Sequence, residues 1–148
     1  MAAKGLDPAW IREFFGEMKS AHGARPGPRV ILVEDNPFDA ELMEMSLRRS
    51  LGCTVVVVYS REMFLAELEH ELPGVIVSDS NLPAFDGFTA LALARELCPG
   101  VPFVVCSGRV TDAIKADALA RGADACVCKD DPAQLVKAVR DLCAGEGL

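Results

Sequence analysis

No apolar run in this chain approaches the roughly 18 residues that a membrane-spanning helix needs. The N-terminus, MAAKGLDPAWIREFF, lacks the continuous apolar stretch of a secretory signal. These two absences make a cytoplasmic chain with no membrane contact the expectation. Positive charge is also in short supply. The 15 Lys and Arg face 22 Asp and Glu, a net charge of −7, which argues against electrostatic binding of nucleic acid. No P-loop, GxGxxG or HExxH is present. His22 and His70 lie far apart and read as surface residues. Six cysteines occur, but without a secretory signal they read as reduced thiols rather than a disulfide framework. Two of them, Cys126 and Cys128 in ACVCKDDPAQL (125–135), have no second chelating pair to complete a zinc site and read as small core residues.

Hydrophobic residues, by contrast, make up 51% of the 148, enough for one compact domain with a short extension. The extension is residues 1–28. Asp7-Pro8 is a helix start, and Trp10, Ile11, Phe14, Phe15 and Met18 form one apolar helical face. Gly23 stops the pattern and RPGP (25–28) is a linker. This amphipathic helix is either a docking or dimerisation element or one folded back onto its own domain.

From Arg29 to about 145 the pattern alternates. Apolar, mostly β-branched runs at 30–33, 55–58, 75–77, 101–106 and 125–128 are each followed by helical spacing, near 37–50, 61–72, 87–97, 111–121 and 132–143. Strands apolar on both faces, with helices between them, predict an α/β domain. Its core is a doubly wound, five-stranded parallel sheet of order 2-1-3-4-5, a flavodoxin-like (βα)5 fold with an extra N-terminal helix. Asn36-Pro37 and Asp131-Pro132 with Gln134 are helix-start signals, so Asn36 and Asp131 read as caps.

In such a sheet ligands bind at the carboxyl ends of the strands. Those ends carry Glu34-Asp35, Ser78-Asp79-Ser80-Asn81, Ser107-Gly108 and Lys129. Any one acidic residue there reads as a solvated loop residue. The set of carboxylates, hydroxyl and lysine on four separate strands does not. Crowded carboxylates call for a cation, and oxygen ligands without histidine suit a hard ion, Mg²⁺ with Mn²⁺ as an alternative. The residue types also fit phosphoryl chemistry through an acyl phosphate.

ILVEDNP (31–37), VIVSDSNLPAFDG (75–87), VPFVVCSG (101–108) and GADACVCKD (122–130), in this order, resemble the receiver domain of two-component response regulators. The resemblance covers about residues 29–144. It implies that Asp79 is the phosphoacceptor. It also implies that Asp35, Asp79 and the backbone carbonyl of Asn81 hold Mg²⁺, with Glu34 acting through water. Ser107 and Lys129 would contact the phosphoryl group, Gly108 would leave room for it, and Pro83, Asp86 and Gly87 would shape the following loop. The implied role is phosphoacceptor and signalling domain rather than enzyme, in a phosphorelay. The donor would be a sensor histidine kinase or phosphotransfer protein, and the output a downstream protein partner. The last helices or the N-terminal helix are candidate homodimer surfaces. The chain ends near Gly145, where a DNA-binding domain would begin, so no nucleic-acid partner is expected of it.

Two positions depart from the family. Cys126 and Val127 stand where an aromatic switch residue is usual. Asp130 stands where proline in a cis peptide is usual, and a non-proline cis bond costs roughly 2.5–4 kcal/mol. A trans Lys129–Asp130 peptide or a strained loop is therefore expected. Lys-Asp here resembles receivers of nitrate/fixation-type regulators and those of sensor kinases and phytochromes, and FDGFTAL with VPFVVCSG leans toward the latter. Arg109 is placed to tune the lifetime of the phosphorylated form. Two alternatives fit the same residues: a receiver-fold adaptor working without phosphorylation, and a small aspartyl-phosphate phosphohydrolase. The phosphohydrolase usually needs a carboxylate where this chain has Asn81.

Overall fold

A computed structural model describes residues 27–80 and 85–144. The expected N-terminal helix, and with it Asn81 and Pro83, lies outside the described residues. Five strands and five helices alternate. They are β1 (Arg29–Val33), α1 (Pro37–Leu51), β2 (Thr54–Val58), α2 (Arg61–His70), β3 (Val75–Asp79), α3 (Gly87–Leu97), β4 (Phe103–Ser107), α4 (Asp112–Ala120), β5 (Ala125–Cys128) and α5 (Pro132–Ala144).

All four strand pairings are parallel and the order is β2-β1-β3-β4-β5, as the alternating pattern predicts. The β-branched runs explain it. Their residues have no polar face to offer water, so each strand must be covered on both sides. Phe64 and Leu68 of α2, Leu91 and Ala94 of α3 and Ala118 of α4 pack with Ile31, Ile76 and Val105 on one face. Met43 and Leu47 of α1 and Leu135 and Val139 of α5 pack with Leu32, Val77 and Val104 on the other.

The caps are the residues the sequence pointed to. Asn36 Oδ1 accepts from the N–H groups of Phe38 and Asp39 at 2.9 and 3.1 Å. Asp131 accepts from Ala133 N–H at 3.1 Å and from the Gln134 side chain at 3.0 Å. Gly52 ends α1 with φ 68°, a left-handed conformation that favours glycine.

Several element ends shift by one or two residues from the pattern, and two of the shifts have a plain backbone cause. β4 begins at Phe103 rather than 101, because Pro102 has no N–H for the ladder and Val101 N–H is used in a turn to Cys98 O. α2 stops at His70, with Glu71 already extended two residues before Pro73. The order of the sheet places its switch point at β1, between β2 and β3. The carboxyl ends of β1 and β3 therefore flank the crevice where a ligand site belongs.

Candidate functional site

Glu34 and Asp35 follow β1 directly, and Asp79 is the last residue of β3. One carboxylate oxygen from each lies within 4.8 Å of the others. Glu34 is 1% exposed and Asp79 is buried, while Asp35 faces solvent. Lys129, just past β5, reaches back into this group. Its Nζ lies 2.8 Å from Asp79 Oδ2, 2.9 Å from Glu34 Oε1 and 2.7 Å from Asp39 Oδ2. The contact to Asp79 has hydrogen-bond geometry, whereas Glu34 Oε1 has the ion pair without an aligned donor. Glu34 Oε2 accepts the Asn36 N–H at 3.0 Å.

The electrostatics are unequal. Burial pushes the Glu34 carboxyl above its ordinary value; Lys129 and the Asn36 N–H pull it back, and the neighbouring Asp79 charge adds to the rise. For Lys129, burial opposes the charge, but the Asp39, Asp79 and Glu34 carboxylates outweigh it and hold its pKa above the usual lysine range. Three carboxylates thus share one ammonium, and a fourth, Asp35, lies beside them. That surplus is what a hard cation would neutralise, and the donor set of Glu34, Asp35 and Asp79 suits Mg²⁺.

Ser107 ends β4. Its hydroxyl donates to Arg109 O at 2.9 Å and accepts the Arg109 N–H at 3.3 Å, so it is engaged with the loop that follows the strand. Gly108 has open space around it. Gly87 does not: a Cβ there would collide with the carbonyl oxygen of Asp79, so only glycine lets α3 start this close to β3. Asp86 caps that helix by accepting the Phe88 N–H at 2.8 Å. Lys129 is set by its own turn. Asp131 N–H donates to Cys128 O, and Cys128 N–H donates to Gln134 Oε1. Among the described residues no peptide bond is cis and no non-glycine residue has positive φ, so Lys129–Asp130 takes the trans form without backbone strain.

The structure adds one residue that sequence reasoning missed. Asp39 sits in the first turn of α1 and supplies the shortest contact to Lys129. Its signal was available, because Cα–Cβ bonds tilt toward a helix N-terminus, and this one faces the strand ends. Between α1 and the β5–α5 turn, a cavity of about 150 Å³ is lined by Asp39, Leu42, Cys106, Cys128, Lys129 and Leu135.

The cysteines do not form a second site. All six are free, and five are buried. Burial pushes the Cys53 thiol up to about 12 and raises Cys98, Cys106 and Cys126, which leaves them as inert packing. Cys128 is half-buried on the cavity wall rather than fully in the core. Among the described residues no helix is long and apolar enough to cross a membrane.

The family model for the response regulator receiver domain matches residues 30–140. An uncharacterised 14.6 kDa protein of Leptolyngbya boryana is 30% identical over 77% of this chain and 88% of its own length. The nitrate/nitrite response regulator NarL of Escherichia coli K12 is 31% identical over 79% of this chain, which spans about half (55%) of that protein. The receiver domain of the sensor histidine kinase PA1611 from Pseudomonas aeruginosa PAO1 was solved with a magnesium ion coordinated in its active site cleft. It is 26% identical, superposes with a TM-score of 0.69, and covers 80% of this chain and 98% of its own.

Proposed function

This chain belongs to the response regulator receiver domain family of two-component signalling, and from that premise we propose that Asp79 accepts a phosphoryl group from a sensor histidine kinase or phosphotransfer protein. The observation that carries the reading is the convergence of Lys129 Nζ on Asp79 at 2.8 Å, with Glu34 and Asp35 beside it.

An Asp79 carboxylate oxygen attacks phosphorus, the bond to the donor nitrogen breaks, and an acyl phosphate remains. Lys129 already touches the attacking carboxylate, so its ammonium lies where the transferred oxygens gain charge, held protonated by its carboxylate neighbours. Ser107 sits on the adjacent strand. Its hydroxyl gives up the Arg109 backbone to donate to a phosphoryl oxygen, which moves the β4–α4 loop. With Cys126 and Val127 both buried where an aromatic partner is usual, this loop rather than an aromatic rotamer carries the switch. Asp35 and Asp79 would hold Mg²⁺ with the Asn81 carbonyl, and Glu34 beside them would act through water; the ion supplies charge neutralisation for the phosphoryl oxygens when bound. Gly87 lets α3 start directly against the Asp79 backbone carbonyl, and Gly108 has open space around it. The phosphorylated domain then signals through a protein partner, in the cytoplasm.

Intact-mass measurement with acetyl phosphate and Mg²⁺ tests this. A single phosphoryl adduct is expected, lost on chelation of the metal and absent in Asp79→Ala. An adduct of equal yield in Asp79→Ala would overturn the assignment.

A further inference from the structure

On α1, an apolar stripe is left open among the described residues. Phe38, Leu42 and Met45 recur at i, i+4 and i+7 on its outer face, with Arg49 one turn further. Phe38 is 77% and Leu42 60% exposed. Isolated exposed apolar side chains are ordinary, but three in a row beside a groove mark a docking surface. The groove runs between α1 and α5 and is lined by Leu42, Met45, Arg49, Val136, Lys137 and Arg140, with no acidic side chain in its lining. Among the described residues, neither Arg49 nor Arg140 has an ion-pair partner. At the Leu42–Pro132 end the groove meets the cavity that reaches Asp39 and Lys129.

The chain carries a matching segment. Wound as a helix at about 100° per residue, residues 8–22 would put Trp10, Ile11, Phe14, Phe15 and Met18 on one face and Glu13 and Glu17 on the flank beside Trp10. Fifteen residues of helix span about 22 Å, the length of the 15-residue α1. The attachment point is also fixed. Gly27 N–H donates to Gly52 O at 3.2 Å, just past the end of α1, and a Cβ on Gly27 would collide with Leu51 O. Residues 23–26 reach at most about 14 Å, which delivers residue 22 to the Arg49 end of the groove.

We propose that residues 8–22 dock in cis as a helix along the α1–α5 groove, parallel to α1. Trp10 then lies toward Phe38 and Leu42, and Glu17 beside Arg49 and Arg140. The apolar face of the segment and the apolar stripe of α1 cover each other, and the acidic flank meets the basic wall.

Trp10 is the single tryptophan of the chain, so its fluorescence reads this contact without background. In the full chain its emission should be blue-shifted, and its acrylamide quenching constant several-fold below that of Leu42→Glu/Met45→Glu. Those positions are on the outside of α1, and far-UV circular dichroism with a melting curve checks that the variant stays folded. Arg49→Glu/Arg140→Glu should also expose Trp10, and adding Glu13→Arg/Glu17→Arg should protect it again. Trp10 as quenchable in the wild type as in Leu42→Glu/Met45→Glu overturns the proposal. Protection that appears only with concentration, alongside a dimer in sedimentation, overturns it in favour of a second copy. None of these readouts involves phosphoryl acceptance, so this contact stands or fails separately from the role of Asp79.

Discussion

The two ends of the sheet each carry a cluster of charge, and the clusters are built on opposite principles. At the amino end, Arg95 of α3 donates to Gly122 O at 2.7 and 2.9 Å, to Val101 O at 2.8 Å and to Asp124 Oδ2 at 2.8 Å. The same Asp124 oxygen accepts the Phe103 N–H that opens β4. One cation meets one anion, and the remaining donors meet carbonyls. At the carboxyl end, Lys129 faces Glu34, Asp39 and Asp79 with Asp35 close by, and no arrangement of one ammonium can satisfy them all. A balanced cluster holds elements together. An unbalanced one stores a demand for positive charge, which a cation would answer and which the proposed phosphoryl acceptance would draw on.

The largest expected effect comes from removing the cation of the unbalanced cluster. Lys129→Met takes the ammonium away from two buried carboxylates, Glu34 and Asp79, and the loss at neutral pH should be about 3 kcal/mol in urea denaturation. Its pH dependence identifies the cause. In the wild type the folded pKa of Lys129 lies above its ordinary 10.5, so its contribution is complete at neutral pH and fades only as pH rises through the folded value. Glu34 has the opposite consequence. Its folded pKa is raised above 4.5, so its charge opposes folding once ionised. Without Lys129 that rise grows, and the deficit of the variant should shrink as pH falls toward 4.5 and Glu34 takes up a proton. A deficit independent of pH between 7 and 5 would mean that lost packing, not charge, was the cause.

Arg95→Leu is the contrasting case. It removes hydrogen bonds from Gly122 O and Val101 O, but water reaches the site and Asp124 is 40% exposed, so about 2 kcal/mol is expected. This loss should be flat from pH 7 to 5, and acetyl phosphate should still modify the folded protein. Third in size is Asp79→Asn, with the sign reversed. It relieves the repulsion felt by Glu34 and keeps an acceptor for Lys129, so the melting temperature should rise by the equivalent of about 1 kcal/mol while phosphoryl acceptance disappears. A destabilised Asp79→Asn would contradict the idea of stored repulsion.

The difference between the two ends also explains what the sequence disclosed. The sheet was legible because VILV, VVVV and VIV can be satisfied only by burial on both faces, and its order follows from βα alternation. Glu34, Asp79, Ser107 and Lys129 were legible for the same reason: each ends an apolar run, and a parallel sheet brings such ends together. The Arg95 network was not. Its partners lie 27 and 29 residues away in a loop, and no periodicity ties a helix arginine to a carbonyl. Cys128 departed from the core reading because it is the last residue of β5, where the covering helices no longer close over the strand. Asp39 was missed because it lies inside the first helix rather than at the end of an apolar run.

Asp39 is therefore the sharpest test of the contrast, although its effect should be the smallest. It makes the shortest contact to Lys129, 2.7 Å, yet its side chain is 38% exposed. Solvent screening at such a position limits an ion pair to under about 1 kcal/mol. Asp39→Asn should change the urea midpoint by that little, since Lys129 retains Glu34 and Asp79 and the surplus of negative charge falls by one. What should change is the lysine. With one carboxylate gone it is freer to move toward a bound phosphoryl group, so modification by acetyl phosphate should proceed at least as fast as in the wild type. If Asp39→Asn instead cost as much as Arg95→Leu and slowed modification, Asp39 would be bracing Lys129 as Asp124 braces Arg95. The carboxyl end would then be a structural cluster like the other.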